Sequence, residues 1–359
     1  AANEEFIGVP TTRCIEQIIF VLAILKAGKA YLPIDFGYPQ KRLDSIKNNS
    51  NVSFCLTTKL DEQKVLKMGL TPLFKPDTTE TASNLKNESN RIDLTTYVLY
   101  TSGSTGEPKG VCMGEKAMVN LINWQNENST SKNNSRTLQF APLSFDVSFQ
   151  EIMATLSTGG TLVLINNNLR LDMVALLNYI DDKQVNRLFL PFVALQALAE
   201  TAISTKLFPK SLNEIMTAGE QLKITSEVSA FFNGLNDCVL YNQYGPTECH
   251  VVTELKLEGK STNWPALPTI GKPISNTSIL IIDKNQQIVP NGGIGELCIA
   301  GDCLAKGYLN NEELTKEKFI NWNSTDDKTI RIYRTGDIAQ YLPDGNIEFL
   351  GRQDDQVKN

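Results

Sequence analysis

The sequence predicts an α/β protein, parallel sheets flanked by helices with a small β-rich subdomain, on three observations. Arg187 to Pro191, Glu214 to Glu220 and Val239 to Glu248 are short apolar runs that each empty into a loop, with helical segments between them. Repeated β-then-α alternation calls for crossover connections and therefore a parallel sheet, in which ligands gather at the strands' carboxyl ends. From about Leu255 the texture changes to short strands spaced by Gly, Pro and Asn: Ile279 to Ile282, Gly295 to Ala300, Arg331 to Arg334 and Asn346 to Leu350. That part reads as a small β-barrel or sandwich. Finally, 359 residues are too many for one ordinary core. The division is 1–254 for the α/β part and 255–350 for the β-rich part.

In chain order, Cys14 to Lys26 has helical periodicity, stopped by Gly28. Tyr31 to Asp35 is extended, Val52 to Thr57 is a further strand, and Asp61 to Asn90 is a polar connection. Tyr97 to Tyr100 is a strand that runs into Thr101, Ser102, Gly103, Ser104, Thr105 and Gly106. Lys116 to Trp124 predicts a helix and Gln125 to Asn134 an Asn/Ser-rich loop with no packing signal. The stretch from Ala141 opens extended and turns helical near Ser148. Gly159-Gly160 ends that helix, Thr161 to Ile165 is a buried strand, and Met173 to Lys183 a helix.

Composition closes off several classes of function. A hydrophobic content of 41% with 21% charged residues marks a soluble globular chain, and a net charge of −6 supplies no basic field for nucleic acid. The apolar run Ile18 to Leu25 is too short to span a bilayer, and no secretory signal is visible. Seven scattered cysteines without a Cys-x-x-Cys pair suit reduced thiols and a cytoplasmic location. The single histidine, His250, has no nucleophile elbow for a Ser-His-Asp hydrolase and no ligand cluster for zinc. It reads as a packed or hydrogen-bonded neighbour of a pocket.

The stretch Thr101 to Gly110 carries the chemistry. Glycines let backbone N–H groups converge on an anion, hydroxyls add donors, and Lys109 adds positive charge. The spacing differs from the Walker A loop, where Gly-Lys-Ser/Thr leads into a helix. On composition alone the same cluster reads equally as a flexible surface loop.

The order of residues separates the two. Thr101-Ser-Gly-Ser-Thr-Gly-Glu-Pro-Lys-Gly110 resembles the phosphate-loop signature of the adenylate-forming enzymes. Leu25-Lys-Ala-Gly-Lys-Ala-Tyr-Leu-Pro-Ile-Asp35 resembles the signature of their nonribosomal peptide synthetase branch. Phe145-Asp-Val-Ser148, Asn242-Gln-Tyr-Gly-Pro-Thr-Glu248, Gly295-Glu-Leu-Cys-Ile-Ala-Gly301, Tyr333-Arg-Thr-Gly-Asp337 and Gly351-Arg-Gln-Asp-Asp-Gln-Val-Lys358 follow in that family's order. The chain thus resembles the core of an adenylation domain. Against that pattern, the family's opening segment has no counterpart, and residues 351–359 form the start of the hinge to a C-terminal lid that is absent.

The resemblance implies ATP-dependent activation of an amino acid as aminoacyl-AMP, followed by transfer to the phosphopantetheine thiol of a carrier protein in a synthetase. It implies ATP and Mg²⁺, with no nucleic-acid or membrane partner. Thr101 to Gly106 and Lys109 are expected on the β- and γ-phosphates, and Glu248 on Mg²⁺. Tyr244 is expected to stack on adenine, Asn242 to meet its exocyclic amine, Asp337 to accept the ribose hydroxyls and Arg352 to contact the nucleotide. Asp354 is the hinge residue.

Asp146 is expected to pair with the substrate's α-ammonium. Motif alignment puts Val147, Gln150, Phe189, Met216, Ala218, Gly219, Gln243, Val251 and Val252 around its side chain. This mainly apolar set resembles the pocket of proline-activating domains, with Gln243 where a histidine is usual and Met216 where isoleucine is common. L-Proline or a substituted proline is therefore the expected substrate. Another small aliphatic amino acid, a stand-alone acyl or aryl acid ligase, and a catalytically silent scaffold are the alternatives.

Overall fold

The computed structural model describes residues 5–75, 94–102, 107–131, 133–323 and 329–353. The protein is an α/β fold whose chain divides into two compact units. One comprises Ala1–Val119, Pro142–Asp146 and Leu304–Glu317; the other comprises Asn120–Ala141, Val147–Cys303 and Lys318–Asn359.

The first unit is built on a seven-stranded sheet in the order Gly307–Tyr308, Pro108–Gly114, Thr95–Ser102, Ala30–Ile34, Phe6–Pro10, Phe54–Leu56 and Thr71–Leu73. The last five strands are parallel, whereas Thr95–Ser102 and Pro108–Gly114 run antiparallel. Ile18, Val21 and Ile24 bury one stripe of helix Ile15–Lys26. The predicted glycine stop is present: Gly28 adopts φ +70° and donates to the Leu25 carbonyl. Leu32, Ile34, Ile46, Val65 and Val98 form the core of this unit.

The second unit holds a seven-stranded sheet in the order Lys272–Pro273, Thr253–Leu257, Val239–Tyr244, Glu214–Thr217, Arg187–Phe189, Arg136–Gln139 and Thr161–Leu164. From Val239–Tyr244 onward the strands are parallel, as the β-then-α alternation predicts. Helices Met173–Asp182, Phe192–Thr205 and Ser226–Gly234 contribute Leu177, Leu195, Leu198 and Phe231 to its core. Asp172 and Thr225 cap two of these helices by accepting from Ala175 N and Val228 N.

The remaining strands of this unit, Thr277–Ile282, Gly295–Gly301, Phe319–Asn323, Thr329–Tyr341 and Ile347–Arg352, form an antiparallel sheet. It is open, so of the barrel and sandwich that strand spacing suggested, the closed barrel is not formed among the described residues. Phe319–Asn323 and Ile347–Arg352 pair with successive stretches of the long strand Thr329–Tyr341, and among the described residues none of them pairs with Thr277–Ile282 to close a ring.

Helix Glu115–Asn128 runs past its predicted end at Trp124, and the segment after it is docked rather than loose. Arg187 and Glu214 start adjacent strands, face each other in register, and form an ion pair with side chains 1% and 0% exposed. Ser129 and the Ser131 carbonyl accept from the Arg187 guanidinium, while Thr130 N donates to Glu214 at 2.8 Å. Burial pushes the Glu214 carboxyl up, but Arg187, Ser129 and Thr130 together hold it below the usual carboxylate range. Ser129, Thr130 and Ser131 thus pack through hydrogen bonds, which hydrophobic periodicity does not register.

Candidate active site

The carboxyl ends of the parallel strands of the second unit carry Phe189, Met216 and Asn242 to Tyr244. Beside them is a cavity of about 290 Å³ lined by Gly219, Asn242, Gln243, Tyr244, Thr269 and Phe349, among others. The Tyr244 ring lies 6.2 Å from that of Phe349, and its buried hydroxyl donates to Asp337. Burial, followed by the Asp337 charge, keeps this phenol protonated well above its ordinary range, so it remains a donor.

Asp337 is 1% exposed and sits opposite Arg352 in the strand register. Its second oxygen accepts from Arg352 at 3.0 Å. Gly336, at φ +73°, turns its own N–H toward Glu296, which also pairs with Arg334. Asn242 donates its amide N–H to the Thr269 carbonyl at 2.8 Å, leaving its side-chain oxygen as an acceptor.

After Tyr244 the chain doubles back sharply. Cys249 N donates to the Pro246 carbonyl and Val252 N to the Tyr244 carbonyl, while His250 adopts φ 56°. A Cβ at Gly245 would run into the His250 carbonyl, which explains that glycine. The His250 ring is buried, and Nδ1 accepts from Val251 N at 2.9 Å, so the one histidine is part of the turn. Glu248 stands half-buried on this loop. Among the described residues, no group of three or more His, Cys, Asp or Glu is arranged to hold a metal.

In the first unit, Thr101 pairs with Lys109 and Tyr100 with Gly110, so the predicted phosphate loop connects two antiparallel strands. Gly103, Ser104, Thr105 and Gly106 lie outside the described residues, as does Asp354. Lys109 Nζ is 5.8 Å from the centre of the Tyr308 ring. Asp146 directly precedes helix Val147–Leu156. The Tyr31 and Tyr97 rings are 5.7 Å apart; burial, then the Asp146 charge, pushes both phenols up.

Several residues expected around the substrate side chain do meet. Val147 packs against a buried cluster of Phe189, Met216, Val239 and Tyr241. Val251 and Val252 are buried, Ala218 is half-buried, and Gly219 lines the cavity at φ +87°. Gln150 and Gln243 hydrogen-bond to each other at 3.2 Å.

Two residues that motif reasoning missed complete this pair. Gln125 Oε1 accepts from Gln150 at 2.5 Å and from Gln243 at 3.2 Å, and Glu254 accepts from Gln243 at 2.7 Å. Gln243 and Glu254 are direct partners across antiparallel strands. Burial pushes Glu254 up to about 7; Gln243 and Lys256 oppose the rise and Glu214 adds to it. Gln125 carried no signal, since it falls where a loop was expected. Glu254 had one: it sits one strand pairing away from a motif residue.

The AMP-binding enzyme family model matches residues 1–309. The chain belongs to this family. It is 39% identical over 359 residues to gramicidin S synthase 2 of Brevibacillus brevis, covering 99% of this chain and 8% of that protein. It is 36% identical to tyrocidine synthase 1 of Brevibacillus parabrevis, covering 99% of this chain and 32% of the relative. The chain therefore spans a small part of these relatives' length. Among solved structures, the nonribosomal peptide synthetase FmoA3 in its AMPPNP-bound form superposes with a TM-score of 0.86 at 28% identity, over 97% of this chain and 37% of that one. The N-terminal subdomain of Klebsiella oxytoca NpsA in complex with 3-hydroxybenzoyl-AMSN gives 0.82 at 23% identity, over 97% and 87%, a likeness of fold.

Proposed function

We propose that this chain activates an amino acid in a nonribosomal peptide synthetase. The amino-acid carboxylate attacks the α-phosphorus of ATP, pyrophosphate leaves, and the aminoacyl-AMP passes to a carrier-protein phosphopantetheine thiol. The observation that carries this reading is the position of Gln243. It lines the cavity together with Asn242 and Tyr244, and it bonds to Gln150 one helical turn past Asp146.

In this reading the adenosine end sits by Tyr244, with the Asn242 oxygen accepting from the exocyclic amine. Asp337, oriented by Tyr244 and Arg352, uses its remaining lone pairs for the ribose hydroxyls, since one ionised carboxylate accepts about four hydrogen bonds. Lys109, with Thr101, Ser102 and the loop residues that follow, holds the phosphates. Glu248 offers a single hard carboxylate that would help hold Mg²⁺, which when bound would supply positive charge against the phosphates. Asp146 pairs with the α-ammonium and so selects amino acids over simple acids.

The walls of Val147, Phe189, Met216, Val251 and Val252 fit a compact aliphatic side chain, with L-proline or a substituted proline as the specific reading. Amino-acid-dependent pyrophosphate exchange over the common amino acids and proline analogues tests both levels. Exchange led by proline or an analogue supports the finer assignment. Exchange led by an unrelated amino acid overturns proline alone, and silence from the folded full-length protein overturns adenylation.

A further inference from the structure

Gln125, Gln150 and Gln243 are 2%, 0% and 3% exposed, and their amides form one closed set of hydrogen bonds. An amide has an oxygen end and an N–H end, so which end faces which neighbour must be fixed somewhere. Glu254 fixes it. Above about pH 7, where Glu254 is ionised, its carboxylate only accepts, so Gln243 must turn its N–H₂ toward Glu254. Its oxygen then faces Gln150, which must answer with its own N–H₂, shared with the Gln125 oxygen. Gln150 Oε1, on the far side of that amide, is buried and has no hydrogen-bond partner among the described residues.

A buried acceptor left without a donor is unfavourable unless a ligand satisfies it. Gln150 lies one turn from Val147 on the same helix face, Val147 packs against Phe189 and Met216, and Gln150 bonds to the cavity-lining Gln243, so we infer that the orphan oxygen faces the substrate side chain. Val147, Phe189 and Met216 are apolar, and among the described residues the Gln150 side-chain amide bonds only to Gln125 and Gln243. An ammonium buried there would meet a neutral oxygen alone, which favours an uncharged donor.

We propose that Glu254 is a positioning residue whose carboxylate sets the amide relay through Gln243 and Gln150, and that the pocket selects a compact amino acid whose side chain carries one uncharged O–H or N–H donor. This inference rests on the reading that the pocket holds an amino acid. It narrows the proline assignment toward a hydroxylated ring and adds other donor-bearing side chains of similar size.

The test is pyrophosphate exchange at pH 8, where Glu254 is ionised, by the full-length protein with near-isosteric pairs: 4-hydroxyproline against proline, threonine against valine, and asparagine against leucine. The donor-bearing member of the best-used pair is expected to show at least about tenfold higher kcat/KM, because a site built around a hydrogen bond rejects the analogue lacking it. Glu254→Gln removes the obligate acceptor, lets the relay reverse, and should cut that ratio by about tenfold or more. Preference for the apolar member of the best-used pair in the wild type overturns the inference and leaves adenylation standing, without requiring any variant. An unchanged ratio in Glu254→Gln, or equal losses for both members and for ATP, overturns the positioning role. Silence with every amino acid removes the adenylation reading and this one with it.

Discussion

Tyr244 donates its hydroxyl hydrogen bond to one oxygen of Asp337, and the other oxygen takes the Arg352 guanidinium. The end of a parallel-sheet strand is thereby tied to the strand pair Thr329–Tyr341 and Ile347–Arg352 beside the cavity. Tyr244→Phe keeps the ring and leaves a buried carboxylate with one partner fewer. Urea denaturation should show a loss on the order of 1–3 kcal/mol. Asp337→Asn should raise KM for ATP about tenfold or more, the effect of weakening charged hydrogen bonds, with little change in KM for the amino acid. A larger effect on the amino acid would remove Asp337 from the nucleotide site.

Asp146 and Lys109 should separate cleanly in their effects. Asp146→Ala is expected to abolish amino-acid-dependent exchange while ATP binding, followed by calorimetry, persists. Lys109→Ala should weaken exchange with every amino acid alike, by roughly 10²-fold if it stabilises developing phosphate charge. Loss confined to one amino acid would contradict the role of Lys109.

Glu254 makes stability depend on pH. Its folded-state value of about 7 lies above its ordinary value of 4.5, so the folded protein favours the protonated form. The stabilisation is complete below pH 4.5 and disappears as pH rises through about 7. The full swing is about 3 kcal/mol at 1.36 kcal/mol per unit. Glu254→Gln should therefore gain on the wild type as pH increases from 5 to 8. Glu214, near Glu254 and held low by Arg187, changes only in acid and does not confuse this window. A stability difference between the two proteins that stays flat from pH 5 to 8 would refute the assignment.

The Arg187–Glu214 pair predicts a large effect of another kind. Arg187→Met strips a wholly buried carboxylate of its counter-charge and should cost about 3–5 kcal/mol in chemical denaturation. Replacing both residues with apolar ones should recover much of that loss. If the double variant were as unstable as the single one, the pair would be stabilising by more than mutual compensation.

The parallel strands were legible because Leu188, Ile215 and Leu240 alternate with loops and helices in a pattern that only crossover connections satisfy. The residues of the candidate site were legible because Asn242 to Glu248 and Tyr333 to Asp337 are distinctive in order. The polar interior was not. Gln125, Ser129 and Ser131 are buried as deeply as leucines, yet their burial depends on partners dozens of residues away. No local pattern announces such partners. Whether the third sheet closes into a barrel was not legible for a related reason: strand spacing gives the number of strands, whereas closure depends on which edges meet.

His250 is the only histidine in the chain, and its ring is locked into the turn that carries Glu248. In magnetic resonance it therefore supplies one imidazole signal with nothing to overlap it. A shift in that signal on adding nucleotide would report directly on the Glu248 loop, with no residue altered and no probe attached.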